Sequence, residues 1–185
     1  MRPKAEIISN KDFSVQKIER RELENCEFVN CTFTNIKGID FEDCRFKNCN
    51  LSNVDFKSCK LQDIEFVDCK LLGANFTGAK DFGFCVSFDG CLLDYTSWDK
   101  RRMNKSSFKN CKIQGANFTG TDLSKCSFTN CDLTEALFAQ TNLSGVDLTT
   151  CRNFLIDPEL NNIKKAKFLA QDLPGLLYRH DIVIV

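Results

Sequence analysis

From Phe13 to Leu148 a bulky apolar residue returns every fifth position, and a small residue usually stands two places before it. Ala74-Asn75-Phe76, Ala116-Asn117-Phe118 and Cys131-Asp132-Leu133 show the unit. A period of five fits neither the roughly 3.6 of a helix nor the roughly 2.0 of a strand. A fixed short repeat instead predicts a solenoid, in which each unit buries its apolar side only by stacking on its neighbours.

Call the large apolar residue the centre of its repeat. Centres run from Phe13 to Phe33, from Phe41 to Phe76 and from Phe88 to Leu148. Two steps break the count: Phe33 to Phe41 falls two residues short of two repeats, and Phe76 to Phe88 is two residues over. The cysteines test the coil size independently. Cys31, Cys49, Cys69, Cys91, Cys111, Cys131 and Cys151 are separated by 18, 20, 22, 20, 20 and 20 residues, the short and long steps falling across the two breaks. One column of cysteines therefore forms if four repeats make a coil; a three-sided coil scatters them. The predicted fold is an all-β, four-sided β-helix.

Nearly every cysteine stands two before a centre, where it acts as a small hydrophobe. Rungs in such a coil are about 4.8 Å apart and their side chains point the same way, whereas a disulfide needs side chains turned toward each other. The twelve cysteines are thus expected to be reduced thiols in a cytoplasmic protein. A straight row of sulfurs is no tetrahedral cage, so neither metal nor cofactor is expected. Asn30, Asn48, Asn110 and Asn130 each precede a column cysteine and read as a structural outer row.

Beyond Leu148 the count continues through Asn153, Pro158, Ile163 and Phe168, with Ile156 and Ala166 at small inward positions. The solenoid is assigned to residues 1–168. Residues 169–185 are assigned to a short C-terminal helix, with Asp172 as N-cap and Pro174 in its first turn, and an apolar tail. Leu173, Leu176, Leu177, Tyr178, Ile182 and Ile184 predict a lid on the last coil and a homodimer surface.

The two extra residues place a bulge at Lys80–Cys85. Just after it come Lys100, Arg101, Arg102 and Lys105, a candidate partner-binding group. Arg101 falls on an inward small position, so the coil is expected to open there or the arginine to swing out. A candidate acidic face comprises Asp40, Glu42, Asp43 and Asp63. Overall the charges cancel, with 25 bases and 25 acids, so no net attraction to nucleic acid is expected. Residues 1–95 nevertheless hold 16 acids and 13 bases (net −3), leaving 9 acids and 12 bases (net +3) for residues 96–185.

No run of 18 or more apolar residues exists, so no membrane-spanning helix is predicted. The N-terminal residues lack the long apolar segment of a secretory signal. With one histidine, His180, no Ser-His-Asp or Cys-His pairing can be assembled, and no phosphate loop, zinc motif or calcium loop appears. Acidic residues on a filled rod lie on convex faces, not in a cleft. The chain is expected to bind rather than catalyse.

Ala-Asn-Phe-Thr-Gly at 74–78 and again at 116–120, with Cys-Asp-Leu-Thr-Glu at 131–135, resembles the pentapeptide-repeat proteins. That resemblance covers roughly residues 13–168 and implies a right-handed quadrilateral β-helix. The string Gln114-Gly115-Ala116-Asn117-Phe118-Thr119-Gly120-Thr121-Asp122-Leu123-Ser124 and the closing helix with its Ile-Val-rich tail are similar to quinolone-resistance proteins of the Qnr and MfpA type. This second resemblance implies a dimer joined through the C-terminal ends, DNA-like in width and charge, that binds DNA gyrase and topoisomerase IV and modulates quinolone sensitivity. The alternative is a cytosolic protein–protein interaction scaffold with no topoisomerase role.

Overall fold

A computed structural model of the chain describes residues 5–103 and 105–183. The backbone winds into a parallel β-solenoid that ends in one short helix. On its first face, seven short strands stack in chain order: Glu6–Ser9, Cys26–Val29, Arg45–Lys47, Ile64–Val67, Val86–Asp89, Ser107–Lys109 and Ser127–Thr129. Their parallel register runs Phe28↔Phe46↔Phe66↔Phe88↔Phe108↔Phe128, and Asp147↔Lys167 extends it. The second face is the ladder Thr32↔Asn50↔Lys70↔Leu92↔Lys112↔Asp132↔Arg152, and the third is Asp55↔Asn75↔Ser97↔Asn117↔Leu137. The fourth begins with the strands Glu22–Glu24, Asp40–Glu42 and Leu61–Gln62 and resumes as Arg102↔Asp122↔Asn142↔Asn162. Four faces to a coil is what the cysteine spacing requires.

Stacking like on like fills the interior with rings. Along the first face successive Phe28, Phe46, Phe66, Phe88, Phe108 and Phe128 centroids lie 4.9, 5.0, 5.0, 5.3 and 4.7 Å apart, nearly parallel. A second stack runs Phe56, Phe76, Trp98, Phe118, Phe138 and meets the first edge-on. Each such pair adds about 0.5–1.5 kcal/mol beyond the area it buries. A tryptophan in this stack brings a polar N–H into the core. Trp98 Nε1 donates to Thr96 Oγ1 at 2.8 Å, and that hydroxyl donates to the Leu93 carbonyl at 2.7 Å.

The small inward position does more than leave room. Cys49, Cys69, Cys91 and Cys131 each donate their thiol to the carbonyl of a centre one coil below, namely Phe28, Phe46, Phe66 and Phe108, at 3.3–3.5 Å. Thr121 and Thr141 do the same to Trp98 and Phe118, both at 2.9 Å. In the other direction, the N–H of Cys31 donates to Cys49 Sγ and that of Cys49 to Cys69 Sγ, each at 3.4 Å. A thiol here therefore gives the Cys31 or Cys49 N–H its acceptor and adds a second donor to a carbonyl that the backbone already engages, as the Arg101 N–H engages Trp98 and the Thr121 N–H engages Phe118. A buried N–H without a partner costs about 1–3 kcal/mol. All twelve cysteines are free; only Cys85 is not fully buried.

The asparagine row has a backbone cause. Asn30, Asn48, Asn110 and Asn130 hold φ of 53–54°, left-handed conformations in which asparagine is among the least strained side chains. At the same corner one rung later than Asp68 stands Gly90, with φ of 66°.

The C-terminal end differs from its sequence reading in two places. Asn153 is exposed, with φ of 62°, and its neighbour Phe154 takes the inward place, 3% exposed. Phe154 packs against Phe168 with centroids 5.4 Å apart, because a ring covers the end of the core better than an amide. Asp172 is not the helix cap. It closes a 3-10 turn, Ala170–Asp172; the α-helix, Pro174–Leu177, starts after Leu173 and has no side-chain cap, and a second 3-10 turn, Tyr178–His180, follows. Ile156 is fully buried as expected, and Ile163, Phe168 and Leu176 pack partly buried against the core.

Candidate functional site

With the core filled, the surfaces available are the four faces, their corners and the two ends. A shallow depression of about 400 Å³ lies at the N-terminal end, lined among others by Phe13, Gln16, Ile18, Arg21 and Ile39. Among the described residues no group of three or more His, Cys, Asp or Glu side chains is placed to hold a metal ion, and no helix is long and apolar enough to cross a membrane.

At the Lys80–Cys85 bulge the interior departs from its own rule. Arg101 occupies a small inward position and is 3% exposed, so the coil neither opens nor expels it. Its guanidinium donates Nη1 to the carbonyl of Ala79 and Nη2 to that of Lys80 at 3.2 Å. Nη1 also pairs with Asp81 Oδ1 at 3.2 Å, and the group lies 4.2 Å over the buried Phe84 ring. Burial lowers the Arg101 pKa from its ordinary value, and the Asp81 charge partly offsets this. Ala79 and the Lys80–Cys85 bulge together supply the acceptors and the ring that make its burial tolerable. Arg101 is thus an internal clamp and leaves the candidate partner-binding group.

Clamped in this way, the bulge projects Phe82, 84% exposed. Gly83 beside it has φ of 73°, a left-handed conformation that favours glycine at the bend.

The remaining basic residues of the group, Lys100, Arg102 and Lys105, are exposed. Of the acidic candidates, Asp40 and Glu42 are half-buried and neutralised: Lys80 Nζ reaches Asp40 at 2.7 Å and Lys60 Nζ reaches Glu42 at 2.5 Å. Burial opposes the Asp40 charge, but the Lys80 and Lys60 hydrogen bonds hold its pKa below the ordinary value. Asp43 and Asp63 are exposed at corners, with φ of 49° and 52°. The acidic face is therefore not continuous.

Elsewhere acids and bases face each other on adjacent rungs, as in Arg45–Glu65, Lys109–Asp89, Arg152–Asp132 and Lys167–Asp147. No sequence signal short of the rung register reveals this pairing. Asp132 shows its effect. Burial works against its charge, but the Thr134 hydroxyl, Asn153, the Thr134 N–H and Arg152 outweigh it and lower its pKa to about 2.

On the C-terminal cap Leu173, Leu177, Tyr178 and Ile182 are exposed and Leu176 is half-buried against the core. Ile184 lies outside the described residues. Arg179 pins the cap to the last coil through Asp157, 2.6 Å away.

Among solved structures, two trypsin-treated variants of QnrB1, a plasmid-mediated fluoroquinolone resistance protein, are each 23% identical, cover 98% of both chains and score TM 0.46 and 0.49. HetL, a protein involved in heterocyst differentiation regulation from the cyanobacterium Nostoc sp. strain PCC 7120, is 13% identical over 83% of this chain and 87% of its own, with TM-score 0.45. No curated protein matches the chain. The family model described as "Pentapeptide repeat region" matches residues 18–98 and 101–176, nearly the whole solenoid with its cap, and the chain belongs to the pentapeptide-repeat family.

Proposed function

We propose that this chain is a non-catalytic rod that works by binding another protein, and that its partner is a type II topoisomerase, DNA gyrase or topoisomerase IV, whose quinolone sensitivity it modulates. The observation that carries the binding reading is the filled interior: ring stacks and thiol bridges occupy the space where a substrate cleft has to be, so chemistry is left to the outer surface. The topoisomerase reading rests on the sequence resemblance of Gln114–Ser124 and the closing helix to Qnr- and MfpA-type proteins. The exposed cap residues Leu173, Leu177, Tyr178 and Ile182 suit a homodimer contact.

A second reading, a cytoplasmic scaffold for a different protein, is favoured by the rung-to-rung ion pairs. They leave little of the continuous negative potential that competition for a basic DNA saddle calls for. Binding of purified gyrase and topoisomerase IV to the immobilised rod separates the two. Saturable binding that duplex DNA displaces supports the topoisomerase reading; no binding to either enzyme moves the assignment to the scaffold.

A further inference from the structure

One corner of the rod breaks the pairing rule. The register Arg45↔Glu65 sets Asp43 beside Asp63, and Val86↔Ile64 sets Asp63 beside Cys85. The pairings Ser87↔Ser107↔Ser127 then carry the row on to Lys105 and Lys125. In rung order the corner reads Asp43, Asp63, Cys85, Lys105, Lys125. The four charged side chains are exposed, and none is in an ion pair among the described residues. Like charges on adjacent rungs repel, so this arrangement is unfavourable in the isolated rod, unlike the ion-paired rungs Arg45–Glu65, Lys109–Asp89, Arg152–Asp132 and Lys167–Asp147.

The same order is self-complementary. A two-fold axis through the Cys85 rung sets Asp63 opposite Lys105 of a second copy and Asp43 opposite Lys125 of a second copy, and the reverse pairs form as well. The bulge next to that rung carries Phe82, the exposed ring held out by the Arg101 clamp, so each copy brings an aromatic anchor close to the axis. On the first face Ser87, Ser107 and Ser127 flank the row from Cys85 to Lys125, and the Arg45–Glu65 pair flanks its acidic end.

We propose that this corner is a side-by-side, antiparallel contact between two copies of the chain, centred on the Cys85 rung. Its charge row is isologous, as a two-fold contact requires, and is distinct from the apolar cap at the C-terminal end. Four rungs separate Cys85 from the last coil, so a dimer joined cap to cap holds its two Cys85 rungs about 40 Å apart at strand spacing. The corner contact brings them together.

Cysteine chemistry makes the test specific, because Cys85 is the one thiol of the twelve that is not buried. The native protein is treated with a short bismaleimide at low ionic strength, where surface charge pairs are least screened, and then run on a denaturing gel. A cross-linked dimer is expected in the wild type, absent in Cys85→Ser and strongly reduced in Asp43→Lys/Asp63→Lys. Adding Lys105→Asp and Lys125→Asp to that double variant restores it, since the reversed row is again self-complementary. Phe82→Ser, an exposed substitution that leaves the core intact, lowers the yield. A wild type that yields no dimer while Cys85 is alkylated overturns the proposal, and so does a yield unchanged by reversing Asp43 and Asp63. Sedimentation of the same variants shows that each remains folded and compact.

Discussion

The guanidinium of Arg101 lies 4.2 Å above the ring of Phe84, inside a column where the neighbouring rungs carry Ala79 and Thr121. The clamp and the bulge act together: Ala79 and Lys80, at the entrance to the bulge, supply the two carbonyls, and the bulge supplies the Phe84 ring that the arginine lies on. Arg101→Ala is expected to cost about 2–5 kcal/mol, the usual range for emptying a large buried site. Arg101→Lys should lose part of that, because an ammonium cannot fork to two carbonyls while lying flat on the ring. Urea midpoints measure the cost, and faster proteolysis at the Phe82 tip should accompany it. Wild-type stability in Arg101→Ala sinks the clamp reading.

Trp98 and Thr96 form a second such unit. Thr96→Val keeps the shape but leaves the indole N–H buried without an acceptor, at an expected cost of about 1–3 kcal/mol. Trp98→Phe in the Thr96→Val background removes the orphaned donor, so the double variant should be more stable than the sum of the single changes. Additive losses in a double-mutant cycle contradict the coupling.

Thiol donation predicts an unequal tolerance along the cysteine column. Cys131→Thr should be mild, since Thr121 and Thr141 already donate to the equivalent carbonyls. Cys131→Val, of similar size but with no donor, removes the second hydrogen bond to the Phe108 carbonyl and should cost about 0.5–1.5 kcal/mol. Equal stabilities of the two variants mean that size alone selects cysteine.

Alkaline pH should weaken the fold. Burial raises the thiols of Cys44 and Cys126 to about 12 and that of Cys59 to about 11, from 9.0. The folded state therefore keeps protons that the unfolded chain releases, and stability present below pH 9 is lost as pH rises toward 11–12. At the acid end Asp132, lowered to about 2 from 3.8, contributes stability above its ordinary value that fades as pH falls toward 2. Chemical denaturation across pH 8–11 reads the first limb, and a flat profile there contradicts the buried-thiol account.

Much of this fold was legible in the residues because a five-residue period is rare and self-checking. The cysteine column gave the four faces, and the Phe33–Phe41 and Phe76–Phe88 steps located the irregular rungs. Where the reading stopped, the cause was three-dimensional. Arg101 looked unburiable because its acceptors, the carbonyls of Ala79 and Lys80, lie one coil below. Asn153 kept the count while Phe154 took the space, since the end of a stack rewards area over register. Cysteine read as a small hydrophobe because its hydrogen-bond partner is a backbone carbonyl, which has no letter in the sequence. The candidate surface was half visible: the net −3 and +3 halves were countable, but only the register places Asp43, Asp63, Lys105 and Lys125 in one row.

The most direct measurement of the proposed function is DNA gyrase supercoiling in the presence of a fluoroquinolone, with the purified protein titrated in. Rescue of supercoiling at low protein, followed by inhibition at higher protein, is the expected result. No change in supercoiling at any concentration, with or without the drug, contradicts the topoisomerase assignment and leaves the rod as a scaffold for a different partner.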